Sequence, residues 1–162
     1  MRILFVCLGN ICRSPTAEGV LRHKLRDAGL AGDVDVESAG TGGWHVGHPP
    51  DPRATAAAGA RGIALESRAQ RFEAFHFEDF DLILAMDRQN LTDMRALAPH
   101  AAAAGKLHLF REFDPSAVQS GDLEVPDPYF GGEDGFEVVL ELIDRACDGL
   151  IAEIRSTMAA GG

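Results

Sequence analysis

The chain begins with an uninterrupted apolar run, residues 3–7 (Ile-Leu-Phe-Val-Cys), that leads directly into a short polar loop. A strand without polar alternation is buried on both faces, which is typical of a parallel sheet covered by helices. Residues 81–86 form a second such run, and weaker strand patterns cover residues 34–38 and 106–110. The sequence therefore predicts four strands.

Apolar residues at helical spacing fill the gaps between these strands. The predicted helices cover residues 15–29, 51–62, 89–98 and 136–154. Strands that alternate with helices favour βαβ units, and so a single-domain α/β fold with three layers, α/β/α, around a mostly parallel sheet. We assign residues 1–158 to this domain and expect residues 159–162 to be a flexible tail.

Ligands of such folds bind beyond the carboxyl ends of the strands. The segments to search are residues 7–14, 39–50, 87–90 and the long loop 111–132. In the first of them, Arg13 follows Cys7 after five residues, at the start of a predicted helix. Gly9 and Asn10 tolerate positive φ, so the loop can curl and turn its backbone N–H groups inward.

This loop predicts a site for a phosphate dianion. The unpaired N–H groups at the helix start attract anions, and the planar guanidinium of Arg13 matches two phosphate oxygens. The pattern is not that of a nucleotide-binding P-loop, because G-x-x-x-x-G-K-[ST] is absent. The predicted phosphate-binding residues are Leu8, Gly9, Asn10, Ile11, Cys12 and Arg13.

Cys7 is the candidate nucleophile at the rim of this pocket. A positive environment favours the thiolate, and the hydroxyl of Ser14 could donate a hydrogen bond to it. A thiolate that faces a bound phosphoryl group can attack it in line and form a phosphocysteine. An isolated cysteine at the end of a strand is usually a small core residue, but the spacing to Arg13 and the strand–turn–helix context favour catalysis here.

Asp127 is the candidate general acid. A leaving alkoxide or phenoxide needs a proton, and Asp127 lies between two prolines in the long loop after the fourth strand. The prolines stiffen this segment and hold the carboxylate in place. A solvated turn aspartate is the alternative interpretation on the local sequence alone.

Three motifs together resemble the low-molecular-weight protein tyrosine phosphatases. They are the N-terminal loop (7–15, CLGNICRSP), Ser-Ala-Gly-Thr at 38–41 and Asp-Pro-Tyr at 127–129, and the resemblance extends to residues 50–53 and 86–87. It implies a four-stranded parallel sheet flanked by helices, and hydrolysis of phosphotyrosine in proteins or peptides without a metal or cofactor. It also implies that Asp127 first protonates the leaving tyrosine and then activates water.

The resemblance assigns supporting roles to further residues. Asn10 would hold the loop in its positive-φ shape, with Ser38 hydrogen-bonded to it. Trp44 and Tyr129 would form the walls that stack on a phosphotyrosine ring. Two positions depart from the family pattern: Ser67 stands where members often carry a histidine of the Asn10 network, and Phe130 stands where many have a second tyrosine.

The cysteines indicate free thiols in a reducing compartment. The chain has three of them, an odd number that argues against a disulfide framework. We hypothesise that Cys12 forms a reversible disulfide with Cys7 under oxidation, which would protect the nucleophile. Cys147 lies on the apolar stripe of the last helix and is expected in the core. The histidines show no metal spacing; His45 and His48 come closest.

Charge and composition restrict the function further. The net charge of −10 argues against nucleic-acid binding, because phosphate contacts need a basic face. The apolar runs are too short to cross a bilayer, so no membrane association is expected. We expect a cytoplasmic location, and the acidic surface favours a monomer.

Two alternative functions are open at this point. An arsenate reductase of the same fold would need further cysteines near the third strand, and residues 81–97 contain none. A phosphate-binding module without turnover should have lost its thiol, arginine or acid, yet Cys7, Arg13 and Asp127 are all present.

Overall fold

A computed structural model describes residues 1–129, 131–132 and 134–161. Its sheet has four strands in the order β2-β1-β3-β4, and every neighbouring pair is parallel. The strands are β1 (Arg2–Cys7), β2 (Asp35–Gly40), β3 (Leu82–Ala85) and β4 (Leu107–Leu109). The predicted strands are confirmed, with ends that shift by a few residues.

Helices connect the strands and cover both faces of the sheet. They are α1 (Arg13–Asp27), α2 (Pro52–Gly59), α3 (His76–Asp79), α4 (Arg88–Arg95), α5 (Ala101–Ala104), a 3-10 helix (Phe110–Phe113), α6 (Pro115–Ser120) and α7 (Asp134–Gly161). None of the helices in the described part of the chain could span a membrane, since none combines the required length with sufficient apolarity.

The core has two parts because the central strand β1 is buried on both faces. Ile3 and Phe5 pack in a cluster formed with α1 and α7, whereas Leu4 and Val6 pack in a second cluster that includes α4. Full burial on both sides explains the uninterrupted apolar run. The predicted three-layer α/β/α fold with a four-stranded parallel sheet is confirmed.

The topology brings three strand ends together at one edge. Cys7 pairs with Gly40 of β2, and Val6 pairs with Ala85 of β3, so β1, β2 and β3 end at nearly the same height. The chain moves from β1 to β2 on one side and then crosses to β3 on the other. The loops after β1 and β3 therefore diverge and leave a crevice, which is where such sheets bind ligands.

Some predicted boundaries differ from the structure. The segment predicted as one long loop, 111–132, contains part of the 3-10 helix and the whole of α6. Asp114 caps α6 by accepting a hydrogen bond from the Ser116 N–H (2.9 Å), and Gly121 ends the helix at φ 82°. Both signals were present in the sequence, since Asp-Pro favours a helix start and glycine a helix end.

The last helix is longer than its apolar stripe. Residues 159–161, for which the sequence predicts a flexible tail, belong to α7. Ala159 and Ala160 have high helix propensity, so the helix continues beyond its last core contact at little cost. Gly162 lies outside the described residues, as does Phe130.

Candidate active site

The loop between β1 and α1 curls around a single positive-φ residue. Asn10 has φ 57° and is the one non-glycine residue in the described chain with positive φ. Gly9, which would also tolerate positive φ, does not adopt it. Its lack of a side chain matters for another reason: a Cβ there would lie 3.1 Å from Cδ2 of His45.

Neighbouring segments bind the outer side of this loop. The carbonyl oxygens of three loop residues accept backbone N–H groups from outside, at 2.8–2.9 Å: Cys7 from Thr41, Leu8 from Gly42 and Ile11 from Asp51. Gly40 is required for this close approach, because a Cβ there would lie 2.7 Å from the Leu8 oxygen. The Ser-Ala-Gly-Thr motif therefore supports the loop from behind.

The side chain of Asn10 ties the loop to two other elements. Its Nδ2 donates to Ser14 Oγ (2.8 Å) and to Ser38 Oγ (2.9 Å), and its Oδ1 accepts the N–H of Gln70 (2.9 Å). The hydrogen bond expected between Asn10 and Ser38 is present. Asn10 itself is only 1% exposed, so its side chain lies behind the loop and is committed to these partners.

Glu18 extends the network and was not identified from the sequence. Ser38 Oγ donates to Glu18 Oε1 (2.8 Å), and Glu18 Oε2 lies 3.0 Å from Nη1 of Arg22. Burial raises the pKa of Glu18, although the hydrogen bond from Ser38 and the charge of Arg22 oppose this. The described contacts of the network thus run to Glu18 and Gln70 rather than to Ser67. The spacing of Ser14, Glu18 and Arg22, which places them on one face of α1, was the available signal.

The sulfur of Cys7 is buried at the centre of the loop, with the residue 2% exposed. It accepts the N–H of Asn10 (3.3 Å) and lies 3.0 Å from Ser14 Oγ. Ser14 Oγ accepts a hydrogen bond from Asn10 Nδ2, and it can donate its own proton to the sulfur or to the Ala39 carbonyl oxygen at 3.4 Å. A backbone N–H group and a hydroxyl group therefore lie within hydrogen-bond distance of the sulfur.

Arg13 is also buried and points to the same pocket. Its Nη1 donates to Asp87 Oδ2 (2.7 Å) and to the carbonyl oxygen of Val125 (2.9 Å). Burial alone lowers the pKa of Arg13, but the negative groups around it, Cys7 and Asp87 foremost, outweigh this and raise the pKa above its ordinary value. The guanidinium is therefore charged and fixed in orientation.

Asp87 is a second functional residue that sequence reasoning did not single out. It follows β3 directly and caps α4 by accepting the N–H of Asn90 on Oδ1 (2.8 Å), while Oδ2 holds Arg13. Asp87 lies in segment 87–90, one of those expected to hold the site, and the family resemblance extends to it. Its pairing with Arg13, 74 residues away in the chain, depends on the sheet topology.

Asp127 reaches the same pocket from the segment that follows α6. Its Oδ2 lies 3.6 Å from Nη2 of Arg13, and its Oδ1 accepts the N–H of Tyr129 (3.0 Å). The side chain is 36% exposed, so water and substrate can reach it. The three residues predicted to be catalytic therefore converge on one site.

They line a pocket of about 240 Å³ together with loop residues and aromatic rings. The lining residues are Cys7, Leu8, Gly9, Ile11, Cys12, Arg13, Trp44, His45, Asp127 and Tyr129. Trp44 is 72% exposed, which is unusual for tryptophan, and Tyr129 is 36% exposed. His45, whose ring centroid is 6.3 Å from that of Tyr129, completes the aromatic rim.

Cys12 lies in the loop wall with a free, buried thiol. Burial and then the charge of Asp51 raise its pKa to about 12, so Cys12 is a thiol at neutral pH. Cys7 and Cys147 form no disulfide either. The disulfide between Cys7 and Cys12 stays a prediction, and none is expected for Cys147, which is fully buried in the core. In the described residues, no group of three or more His, Cys, Asp or Glu side chains could hold a metal ion.

Comparison with known proteins agrees with this geometry. Residues 2–160 match the family model described as low molecular weight phosphotyrosine protein phosphatase. The chain belongs to this family. It is 49% identical to the low molecular weight protein-tyrosine-phosphatase of Streptomyces coelicolor, over 95% of this chain and 93% of that protein.

Solved structures support the same assignment. The protein tyrosine phosphatase of Entamoeba histolytica superimposes with a TM-score of 0.91 at 35% identity, covering 98% of this chain and 99% of that one. YfkJ of Bacillus subtilis superimposes with a TM-score of 0.87 at 36% identity, covering 97% and 96%. The family resemblance predicted from the sequence motifs is confirmed.

Proposed function

We propose that this phosphatase hydrolyses phosphotyrosine in proteins or peptides through a phosphocysteine intermediate. The observation that carries the proposal is the convergence of a buried cysteine sulfur, a fixed guanidinium and a solvent-accessible carboxyl group on one aromatic-rimmed pocket. In it, Cys7 is the nucleophile, Arg13 binds the phosphoryl oxygens and Asp127 transfers protons.

In the first step, the Cys7 thiolate attacks phosphorus and the phosphorus–oxygen bond to tyrosine breaks. The electron pair of that bond leaves with the phenolic oxygen, which takes the proton of Asp127. Arg13 and the inward N–H groups of the loop stabilise the charge on the three equatorial phosphoryl oxygens. The products are free tyrosine side chain, phosphocysteine and ionised Asp127.

In the second step, Asp127 accepts a proton from water while the water oxygen attacks phosphorus. The phosphorus–sulfur bond breaks, its electron pair returns to Cys7 as the thiolate, and inorganic phosphate leaves. Ser14 and the N–H of Asn10, which contact the sulfur in the resting enzyme, stabilise that thiolate as it departs. Asp127 is protonated again and the cycle is closed.

The pocket walls favour an aryl phosphate over an alkyl phosphate. Trp44 and Tyr129 present aromatic faces at the rim, and Ile11 adds an apolar wall below them. A phosphotyrosine ring would stack on these faces while its phosphate reaches the loop, whereas phosphoserine is too short to use both. Specificity for phosphotyrosine follows from this difference in reach.

We extend the proposal to the setting of the enzyme. Residues 1–158 would form the catalytic domain of a cytoplasmic monomer that acts without a cofactor and binds neither nucleic acid nor membrane. The three free thiols suit a reducing compartment, and the net charge of −10 suits a protein without a nucleic-acid partner. Under peroxide, Cys7 and Cys12 would be oxidised to a disulfide while the peroxide is reduced to water.

The test measures hydrolysis of para-nitrophenyl phosphate, a phosphotyrosine peptide and the matched phosphoserine peptide, with and without EDTA. We expect turnover of the first two that EDTA does not affect, loss of turnover in Cys7→Ser, and a fall of about 10²–10⁴-fold in kcat/KM for the phosphotyrosine peptide in Asp127→Asn. Absence of turnover by the reduced wild-type enzyme would overturn the proposal and favour a phosphate-binding module.

A further inference from the structure

The Pro-Asp-Pro-Arg segment at residues 50–53 forms an ion pair that no proposed catalytic step uses. Asp51 caps α2, since its Oδ1 accepts the N–H of Arg53 at 2.8 Å. The Arg53 side chain returns to the same carboxylate, with Nε donating to Oδ1 and Nη2 to Oδ2, both at 3.1 Å. Such a two-pronged pair fixes the guanidinium plane as well as its position.

The pair is rigid because its carboxylate is buried. Asp51 is 8% exposed, and burial alone would raise its pKa. The hydrogen bonds from Arg53 outweigh this effect and hold the pKa of Asp51 below its ordinary value, so the carboxylate is ionised at neutral pH. Arg53 is thereby anchored at its fork while its outer edge faces solvent.

This anchored pair contacts both loops of the active site. On one side, the backbone N–H of Asp51 donates to the carbonyl oxygen of Ile11 in the phosphate-binding loop (2.8 Å). On the other, Nη2 of Arg53 donates to the carbonyl oxygen of Tyr129 (3.1 Å), and its guanidinium carbon lies 5.5 Å from the centre of the Tyr129 ring. The pair therefore connects the loop of the nucleophile to the loop of the acid.

The acid loop needs such a support. Residues 122–128 have no regular secondary structure, and on the N-terminal side of Asp127 the chain is held at Val125, whose N–H donates to the Met86 oxygen (2.7 Å). On the C-terminal side, Nη2 of Arg53 donates to the Tyr129 carbonyl oxygen, and the ring of His45 lies 6.3 Å from the Tyr129 ring. Asp127 lies between Val125 and Tyr129 in the chain, and its Oδ1 accepts a hydrogen bond from the Tyr129 N–H.

We propose that Arg53 is a positioning residue that holds Asp127 within reach of the leaving phenolic oxygen. The proposal rests on the proposed function, in which Asp127 donates that proton. Arg53 touches no reacting atom. It holds Tyr129 in place and thereby fixes the position of the Asp127 carboxyl group. A displacement of about 1 Å is enough to cost roughly 100-fold in a proton-transfer step that depends on position.

The test compares leaving groups that differ in how strongly they need a proton. Tyrosine and phenol have pKa values of about 10 and need protonation as they leave, whereas para-nitrophenol is far more acidic and leaves as the anion. The assay compares kcat/KM for phenyl phosphate and para-nitrophenyl phosphate, because kcat/KM reports the cleavage of the phosphorus–oxygen bond. The variants are Arg53→Gln, which loses the fork and the charge, and Arg53→Lys, which keeps the charge.

We expect Arg53→Gln to lower kcat/KM about 10- to 100-fold for phenyl phosphate and no more than about threefold for para-nitrophenyl phosphate. Arg53→Lys should fall between this variant and the wild type. The matched control is Arg61→Gln, which removes another surface arginine paired with carboxylates, Glu137 and Glu141, but without contact to the acid loop. It should leave both substrates unchanged.

Combining Arg53→Gln with Asp127→Asn distinguishes a role in positioning the acid from a general role in the stability of the site. If Arg53 acts through Asp127, Arg53→Gln adds no further leaving-group dependence once the acid is gone. Equal losses on both substrates, or no loss on either, would overturn the inference and leave Arg53 a structural residue. A wild-type enzyme that cleaves both substrates while Asp127→Asn shows no added leaving-group dependence would instead overturn the acid role in the proposed function, and the inference with it.

Discussion

Asn10 offers the sharpest test of how the chain builds its phosphate-binding loop, because two separate effects meet in one residue. Its backbone occupies positive φ, and its side chain makes two buried hydrogen bonds, to Ser14 and Ser38, and a partly buried one to the backbone of Gln70. The substitution Asn10→Gly removes the side chain and tolerates the backbone shape. Asn10→Ala removes the same hydrogen bonds and also opposes that shape.

The expected losses of stability follow from these two effects. Three hydrogen bonds at about 1 kcal/mol each give a loss of about 3 kcal/mol for Asn10→Gly. Asn10→Ala should lose about 1 kcal/mol more, because a residue with a Cβ is strained in the left-handed region. The order of stability is therefore wild type, then Gly, then Ala.

The assay is urea unfolding followed by far-UV circular dichroism, alongside kcat/KM for para-nitrophenyl phosphate. Trp44 fluorescence is a poor probe, since this side chain is already 72% exposed in the native state. Both variants should lose activity, because the loop N–H groups lose their fixed direction. If Asn10→Gly were as unstable as Asn10→Ala, backbone strain would not matter; if either lost less than about 1 kcal/mol, the network would not support the fold.

Two further predictions concern the supports of this loop. Burial raises the pKa of Glu18 from its ordinary value of 4.5, so the native state keeps a proton that the unfolded state has released, and the stability contributed by Glu18 declines as pH rises from that value through the raised pKa. The free energy of unfolding, measured by urea titration at several pH values in this range, should therefore fall more steeply with pH for the wild type than for Glu18→Gln. Equal slopes for the two proteins would contradict a raised pKa of Glu18. Gly40→Ala should cost about 1–3 kcal/mol and most of kcat/KM, since its Cβ would lie 2.7 Å from the Leu8 oxygen, whereas the control Gly32→Ala meets no atom within 4 Å and should change neither.

The phosphate-binding loop between β1 and α1 could be predicted from sequence because its determinants are local. An apolar strand, a glycine and an asparagine at the turn, and Arg13 at the helix start fix the loop within a few residues of each other. The hydrogen bond between Asn10 and Ser38 was also predicted, but only through the family resemblance. Local pattern alone does not bring a residue of β2 to the back of that loop.

The contacts that were missed all join residues far apart in the chain. Glu18 has the position of an ordinary acidic residue on a helix, and only the packing of α1 on β2 buries it against Ser38. Arg53 likewise resembles a surface residue next to a helix cap, and its contact with Tyr129 spans 76 residues. Such pairs depend on how the layers are stacked, so local spacing can place Glu18 on one face of α1 but does not identify its partner.

The charges of the site explain why proton transfer and substrate binding are coupled. One guanidinium, Arg13, faces the carboxylate of Asp87 at 2.7 Å and that of Asp127 at 3.6 Å, beside the Cys7 sulfur, in a chain with net charge −10. With Asp127 ionised, the side chains alone would repel a phosphate dianion, and the loop N–H groups would have to outweigh them. Protonation of Asp127 removes one of these negative charges and supplies the proton that the leaving tyrosine needs. Substrate binding and proton donation therefore depend on the same proton of Asp127.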